Sequence, residues 1–403
     1  MTWSAAEAEE HLLGLELFGM RFGLERMRRL LTALGSPQER FGAVHVVGTN
    51  GKSSTVRMTA ALLEAHGVRT GAFLSPHLTS FAERIRVGDH DLEPGAFGAA
   101  VERAVAAAAK VDRGLRDGDR VTQFELLTAA AFDELARREV EVAVVEAGLG
   151  GRHDATGVLH ASVVVLTNVG LEHTRWLGPT VVDIAREKLA VVAAGGHGVT
   201  LVLGGAAPEV EALAYATGAR IIRPEPPASV QPGYQRTNFA VACAAAREHL
   251  GRLDAALVNE VAATITVPGR LQVVAERPLT ILDGAHNPGG VGALAAALPD
   301  RAFTGVVSIL DDKDAAAMLQ ALLARCSTLV CTAAPNPRAL PPATLASLVA
   351  QLGGTAEIVP EPRAAVARAQ RIAGPDGAVV VTGSIYLVAE LVSAPGRRRA
   401  SAL

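Results

Sequence analysis

Apolar runs of four to six residues recur along the chain between longer stretches whose apolar positions fall three and four apart. The runs are bounded by glycine, proline or polar clusters, so they read as buried strands alternating with amphipathic helices. Residues 4–34 predict two helices around the segment 19–23, the second stopped by Gly35-Ser36-Pro37. A buried strand follows at 44–47, and after a turn at 48–51 a helix opens at Lys52 with apolar positions at Val56, Ala60 and Leu63. Further strands are expected at 71–74, 83–87, 142–145 and 163–168, and helices at 94–110, 122–138 and 180–194. One more strand–helix–strand covers 199–223, Pro224-Glu225-Pro226-Pro227 breaks the pattern, and helices are expected at 238–250 and 253–264. Beyond Val267-Pro268-Gly269-Arg270 the alternation restarts and runs to a helix at 385–393.

The turn at 48–51 changes this from a fold to a candidate site. Gly48-Thr49-Asn50-Gly51-Lys52-Ser53-Ser54 places glycines between a strand and a helix N-terminus, where backbone N–H groups and the helix dipole favour phosphate. Lys52 can reach outer phosphates, and the hydroxyl of Ser53 or Ser54 can face Mg²⁺. The strict eight-residue phosphate loop would need glycine at Val46, and Gly-Lys-Ser alone also describes a left-handed turn with a helix cap. The architecture expected is α/β: an N-terminal P-loop ATPase-like doubly wound domain over 1–267, a linker at 268–270, and a C-terminal Rossmann-like α/β domain over 271–403.

In a parallel sheet, loops at the carboxyl ends of strands share one crevice. Ser75, Glu146 and His173 each sit just past such an end, so they are expected to gather beside the phosphate loop. Oxygen ligands suit Mg²⁺, which makes Ser75 and Glu146 natural donors and His173 a softer one. The competing reading of Glu146 is a helix cap or a partner of Arg152, and His173 taken alone reads as a hydrogen-bonded loop histidine. The second domain has no phosphate loop; its polar cluster Asp283-Gly284-Ala285-His286-Asn287-Pro288 also fits a turn and N-cap.

Composition narrows the partners. With 49% hydrophobic and 20% charged residues and a net charge of −3, the chain reads as a folded protein without a nucleic-acid or membrane footprint. Glu7, Glu9 and Glu10 stand where a signal peptide needs basic residues, and glycines interrupt the charge-free run 189–208. Three cysteines without metal spacing read as reduced thiols, and a cytoplasmic monomer is the expectation. Only four lysines occur (Lys52, Lys110, Lys188, Lys313), the other 34 of 38 basic residues being arginine. Lysine in such a chain marks places where guanidinium cannot replace an amine. Lys110 reads as surface, and Lys188 alone would read as half of an exposed ion pair.

Taken together, the motifs resemble the Mur ligase superfamily and, within it, folylpolyglutamate synthase/dihydrofolate synthase. Gly23-Leu24-Glu25-Arg26, Gly48-Thr49-Asn50-Gly51-Lys52, Ser75-Pro76-His77-Leu78, Glu83-Arg84-Ile85 and Phe124-Glu125 carry the likeness in the first half. Gly148-Leu149-Gly150-Gly151-Arg152 with Asp154-Ala155-Thr156, Glu172-His173-Thr174, Pro268-Gly269-Arg270 and the cluster 283–288 complete it. The resemblance implies an ATP-dependent ligase adding L-glutamate to dihydropteroate or (tetrahydro)folate through an acyl phosphate, in folate biosynthesis and polyglutamylation. It implies ATP between the domains, bound by Gly48 to Ser54 with Asn238, Arg270 and Asp283, and Mg²⁺ held by Ser75, Glu146 and His173. Lys52, Lys188 and His173 would be catalytic, Lys188 as the lysine that the family carboxylates with CO₂. The pterin-bearing substrate would meet Arg21, Phe22, Gly23, Leu24, Phe124, Arg152, His153 and Asp154, and glutamate would lie near His286.

The chain departs from the family pattern at Ser53 (usually glycine), Gly157 (asparagine), Glu172 (aspartate) and Leu189-Ala190-Val191 (Ala-Gly-Ile). The stretch 205–238 is short, so the small extra sheet often found before the linker is expected to be missing. Two other readings stay open: a sister ligase acting on a cell-wall nucleotide precursor, and a nucleotide-dependent binding or switch protein.

Overall fold

Runs such as Val-Val-Val-Leu are too apolar for a sheet with a wet face, and the computed structural model buries them on both sides. It describes residues 2–15, 23–115, 119–196, 198–225 and 232–393. The chain forms two compact units, one of residues up to 265 and one from 266 onward, with 232–234 belonging to the second.

The first unit holds eight strands: β1 (Gly42–Val47), β2 (Thr70–Phe73), β3 (Ile85–Val87), β4 (His90–Asp91), β5 (Val142–Glu146), β6 (Val163–Leu166), β7 (Thr200–Leu203) and β8 (Arg220–Ile222). Their order across the sheet is β4-β3-β2-β5-β1-β6-β7-β8. β3 and β4 run antiparallel at one edge; the other six are parallel. β1 therefore sits at the centre between β5 and β6, with Val46 opposite both Glu146 and Val165. The strand ends that carry the sequence motifs open onto one edge of this sheet.

Helix starts follow capping chemistry. The helix Gln123–Arg137 opens on a capping box in which Thr122 Oγ1 accepts the Glu125 N–H while the Glu125 carboxylate accepts the Thr122 N–H at 2.9 Å. Glu83 and Arg84, expected in a strand, lie in a 3₁₀ turn, because the Glu83 carboxylate takes the N–H groups of Leu78, Thr79 and Ser80. The helix expected from Asn238 begins five residues earlier, as Gly233–Leu250. Its first turn is polar and reads as loop, yet Gln235 and Asn238 are buried and bond each other, Nδ2 to Oε1, at 2.9 Å.

The second unit repeats the architecture with β9 (Gln272–Glu276), β10 (Leu279–Leu282), β11 (Phe303–Val307), β12 (Cys326–Cys331), β13 (Ala356–Ile358) and β14 (Ala378–Thr382). The order is β13-β12-β11-β14-β10-β9, all parallel except β9. Its core packs Phe303, Leu329 and Val380 of the sheet against Val291, Leu319 and Leu345 of the helices. Among the described residues no strand lies between Ile222 and Gln272, and residues 226–231 of the short stretch lie outside them. No described helix is long and apolar enough to cross a membrane.

Candidate functional site

β1 runs straight into the glycine turn. Gly48 (φ +146°) and Gly51 (φ +84°) adopt backbone conformations that side chains resist. A Cβ on Gly48 would fall 1.9 Å from Thr167 Oγ1, and one on Gly51 would fall 2.5 Å from Asn238 Oδ1. Glycine is therefore required twice over at both positions. The end of β6 braces the turn from the other side: the Asn168 carbonyl accepts from Thr49 N and its Oδ1 from Asn50 N, both at 2.9 Å. Thr167 Oγ1 donates to the Asn50 carbonyl at 2.7 Å. The amides of Thr49 and Asn50 thus shape the turn, and the anion cradle is left to the first turn of the helix Lys52–Ala65. That helix has Gly51 at its N-cap and no side-chain cap there. Lys52 Nζ folds back onto the Thr49 carbonyl at 3.2 Å.

Glu146, the last residue of β5, is 1% exposed and faces this cradle. One carboxylate oxygen accepts from Ser53 Oγ and the other from the Ser75 N–H, both at 3.1 Å. The carboxylate thereby joins two of the strand-end loops that the sequence placed together. Ser54 Oγ is buried without a hydrogen-bond partner among the described residues. A set of hydroxyls and one carboxylate suits a hard cation such as Mg²⁺, and no described group of three or more His, Cys, Asp or Glu side chains offers a competing metal site.

His173 caps the short helix Thr174–Leu177 with φ +45°, on the loop after β6 and across β1 from Glu146. Its neighbour Glu172 ties that loop to Lys188. Lys188 is no surface residue: its side chain is 2% exposed, and Nζ donates to Glu172 Oε1 at 2.6 Å and to the Gly48 carbonyl at 2.8 Å. Burial works to raise the Glu172 pKa, but the charges of Lys188 and Lys52 overcome it and pull it down to about 2. Burial pushes the Lys188 amine down, and the Glu172 carboxylate 2.6 Å away opposes that fall.

Two family models match the chain: the Mur ligase middle domain over residues 46–223 and the Mur ligase glutamate ligase domain over 269–385. A folylpolyglutamate synthase of Lacticaseibacillus casei is 33% identical over 402 residues, covering 90% of this chain and 92% of that one. The chain belongs to the folylpolyglutamate synthase/dihydrofolate synthase family of Mur ligases. A probable bifunctional folylpolyglutamate synthase/dihydropteroate synthase of Haloferax volcanii is 35% identical; the match covers 95% of this chain but only 50% of that protein, so the chain spans about half its length. A bifunctional folylpolyglutamate synthase/dihydrofolate synthase of Yersinia pestis, solved with AMPPNP and a Mn ion, superposes with a TM-score of 0.84 at 28% identity, covering 96% of this chain and 97% of that one.

The remaining family motifs fall into three groups. Arg21 and Phe22 lie outside the described residues. Arg26 of the Gly-Leu-Glu-Arg motif and Glu125 of the Phe-Glu motif turn out to be one buried ion pair, Nε to Oε2 at 3.1 Å, with Asp119 on the same guanidinium at 3.0 Å. The pair fixes Leu24, at the N-cap of the helix Glu25–Ala33, beside the helix that starts with Gln123 and Phe124. Arg152 pairs with Glu187 at 2.9 Å rather than with Glu146. Asp154 turns inward: its carboxylate accepts from Leu149 N at 2.7 Å, Thr156 N at 3.0 Å and Thr156 Oγ1 at 2.5 Å. Its pKa is raised by burial against those donors.

In the second unit Asp283 directly follows β10, with its carboxylate on the N–H groups of Leu271 and Ala285 and on the Tyr234 hydroxyl. Arg270 lies close by, its Nη1 2.4 Å from where a Cβ on Gly284 would stand. His286 Nδ1 meets the Gly284 carbonyl at 2.9 Å, and Asn287 caps the helix Pro288–Ala297 through the Gly290 N–H. The turn-and-cap reading of 283–288 thus holds for Asn287. Sequence reasoning missed Tyr234, Thr167 and Asn168; only the polar Thr-Asn at the end of an apolar strand hinted at the last two.

Proposed function

We propose that the chain is an ATP-dependent amide ligase that joins L-glutamate to dihydropteroate or a (tetrahydro)folate, in folate biosynthesis and polyglutamylation. The observation that carries this reading is the single carboxylate, Glu146, bridging Ser53 of the anion cradle and the Ser75 backbone. Such a cradle receives the phosphates of ATP on the N–H groups of the helix Lys52–Ala65, with Lys52, whose Nζ rests on the Thr49 carbonyl, as the cation beside them. Ser53, Ser75 and Glu146 would hold Mg²⁺, with His173 from the neighbouring loop, and the ion supplies charge neutralisation for the triphosphate.

In the first step a substrate carboxylate oxygen attacks the γ-phosphorus; the new P–O bond forms as the bond to ADP breaks. The glutamate amine then attacks the acyl carbon, phosphate leaves, and the nitrogen loses a proton. Neither step asks for a side-chain nucleophile, so the residues act by positioning and by field. Asn238 beside Gly51 is assigned to the nucleotide, as are Arg270 and Asp283; His286 is assigned to glutamate. Arg21 to Leu24, Phe124 and Arg152 to Asp154 are assigned to the pterin-bearing acid.

Carboxylation of Lys188 belongs to the same proposal in a restricted form. An anionic carbamate and the Glu172 carboxylate cannot share the 2.6 Å contact that Glu172 makes with the amine. Lys188 therefore takes up CO₂ only once Glu172 has moved off it. A monomer working in the cytoplasm on small molecules completes the reading. The test is product analysis by mass with ATP, glutamate and either dihydropteroate or tetrahydrofolate. Glutamylated product and phosphate release that need both acceptor and glutamate are expected; equal phosphate release without them would refute the ligase.

A further inference from the structure

The central strand of the first unit carries one polar residue where the pattern calls for valine. In Ala-Val-His-Val-Val, His45 is 1% exposed between β5 and β6. A buried imidazole costs stability unless it is bonded. Its Nε2 lies 2.8 Å from Thr156 Oγ1. Thr156 has one hydroxyl hydrogen, and that hydrogen goes to Asp154 Oδ1. Thr156 Oγ1 must then accept from His45, which fixes the imidazole as the tautomer protonated on Nε2. Asp154 passes the order on, accepting from the backbone of Leu149 and of Thr156. A single buried chain of donors thus runs from β1 to both ends of the segment 149–156. A Cβ on Gly148 would stand 2.5 Å from the Phe124 ring and one on Gly157 would stand 3.6 Å from Leu24, so this segment lies between those two side chains.

We propose that His45 is a positioning residue for the pterin-bearing acid: through Thr156 and Asp154 it sets the shape of the segment 149–156, and with it the affinity for that substrate, without setting affinity for nucleotide. The proposal rests on the ligase reading above. His45 touches no reacting group. It stands three residues before Gly48, yet its bond points away from the phosphate turn and toward the segment beyond β5.

The test compares the full-length wild type with His45→Phe, His45→Gln and Thr156→Val. Dihydropteroate binding is measured beside a non-hydrolysable ATP analogue, nucleotide binding separately, and amide hydrogen exchange at Leu149 and Thr156. His45→Phe should weaken dihydropteroate about tenfold, the worth of one buried hydrogen bond, and speed exchange at both amides by a similar factor. Nucleotide affinity should stay within about twofold, and His45→Gln, whose amide nitrogen can take the place of Nε2, should recover most of the loss. If His45→Phe does not fold, Thr156→Val cuts the same chain without touching β1 and is held to the same outcome. Unchanged exchange, an equal loss of nucleotide affinity, or a glutamine variant no better than phenylalanine would each overturn the proposal. A wild type that binds no pterin acid, with exchange still following the variants, would sink the ligase reading and the affinity part of this inference together; wild-type pterin binding that His45→Phe leaves untouched would sink the inference alone.

Discussion

At the scale of single residues, the site depends on a few buried polar groups that join its loops. Glu146→Ala would remove the acceptor of both Ser53 Oγ and the Ser75 N–H while leaving the glycine turn in place. Turnover is expected to fall at least about a hundredfold, with binding of an ATP analogue reduced far less, by steady-state kinetics beside equilibrium titration. A nucleotide switch would show the reverse pattern. Lys188→Arg keeps a cation but cannot take up CO₂ and must fit a planar fork into a 2%-exposed slot. The fold should survive and most activity should go; intact mass in bicarbonate should show an added carboxyl on the wild type alone. Wild-type turnover in the arginine variant would end the carboxylation idea. Glu146 and Lys188 were legible in the sequence, one from its place at a strand end and the other from lysine scarcity. His45 was not, because its partner lies 111 residues on and only the register of β1 against β5 and the segment beyond it brings them together.

At the scale of elements, capping and one buried ion pair hold the helix Gln123–Arg137 in place. Thr122→Ala removes the side-chain acceptor of its N-terminus and should cost about 1 kcal/mol in chemical unfolding. Arg26→Ala should cost more, ~3 kcal/mol, since it strands the buried Glu125 carboxylate, and with it the half-buried Asp119, rather than dismissing a whole pair. A loss under ~0.5 kcal/mol would mean that water reaches the pair and that the Gly-Leu-Glu-Arg motif is retained for another reason. Helices with clean signals, such as the one following Thr122, could be read from the chain within a residue or two. The helix Gly233–Leu250 could not, because its polar first turn looks like loop until Gln235 and Asn238 are seen bonded to each other inside. Arg26 and Glu125 were both visible as motif residues, but their pairing across 99 positions was not.

For the molecule as a whole, buried titratable groups predict how stability follows acidity. His45 is held neutral in the fold, its pKa lowered by burial from 6.5 to about 4. Above pH 6.5 both folded and unfolded chains carry it neutral and its contribution is complete. As pH falls toward 4 the unfolded chain takes up a proton that the fold refuses, so about 3 kcal/mol is lost over that window. Glu172 acts lower down: its pKa is depressed from 4.5 to about 2, so its contribution is whole above 4.5 and lost as pH falls through 2. His77 adds to the same window, its pKa lowered well below 6.5 by burial and by the charge of Arg84. Unfolding midpoints of the first unit measured from pH 7 to 2 should therefore fall first through the histidine window and then through that of Glu172, and His45→Gln should shrink the earlier fall without removing it. Identical profiles in the two proteins would contradict the burial of His45.

The bracing of Thr49 and Asn50 by Asn168 carries one more consequence. A receptor whose walls are stiff before any guest arrives needs no rearrangement step, so nucleotide capture should run at the pace of diffusive encounter, linear in concentration and without a plateau. The same stiffness makes the pocket depend on a loop outside the glycine turn: loosening Asn168, 118 positions further along, should slow capture as surely as damage to the turn itself.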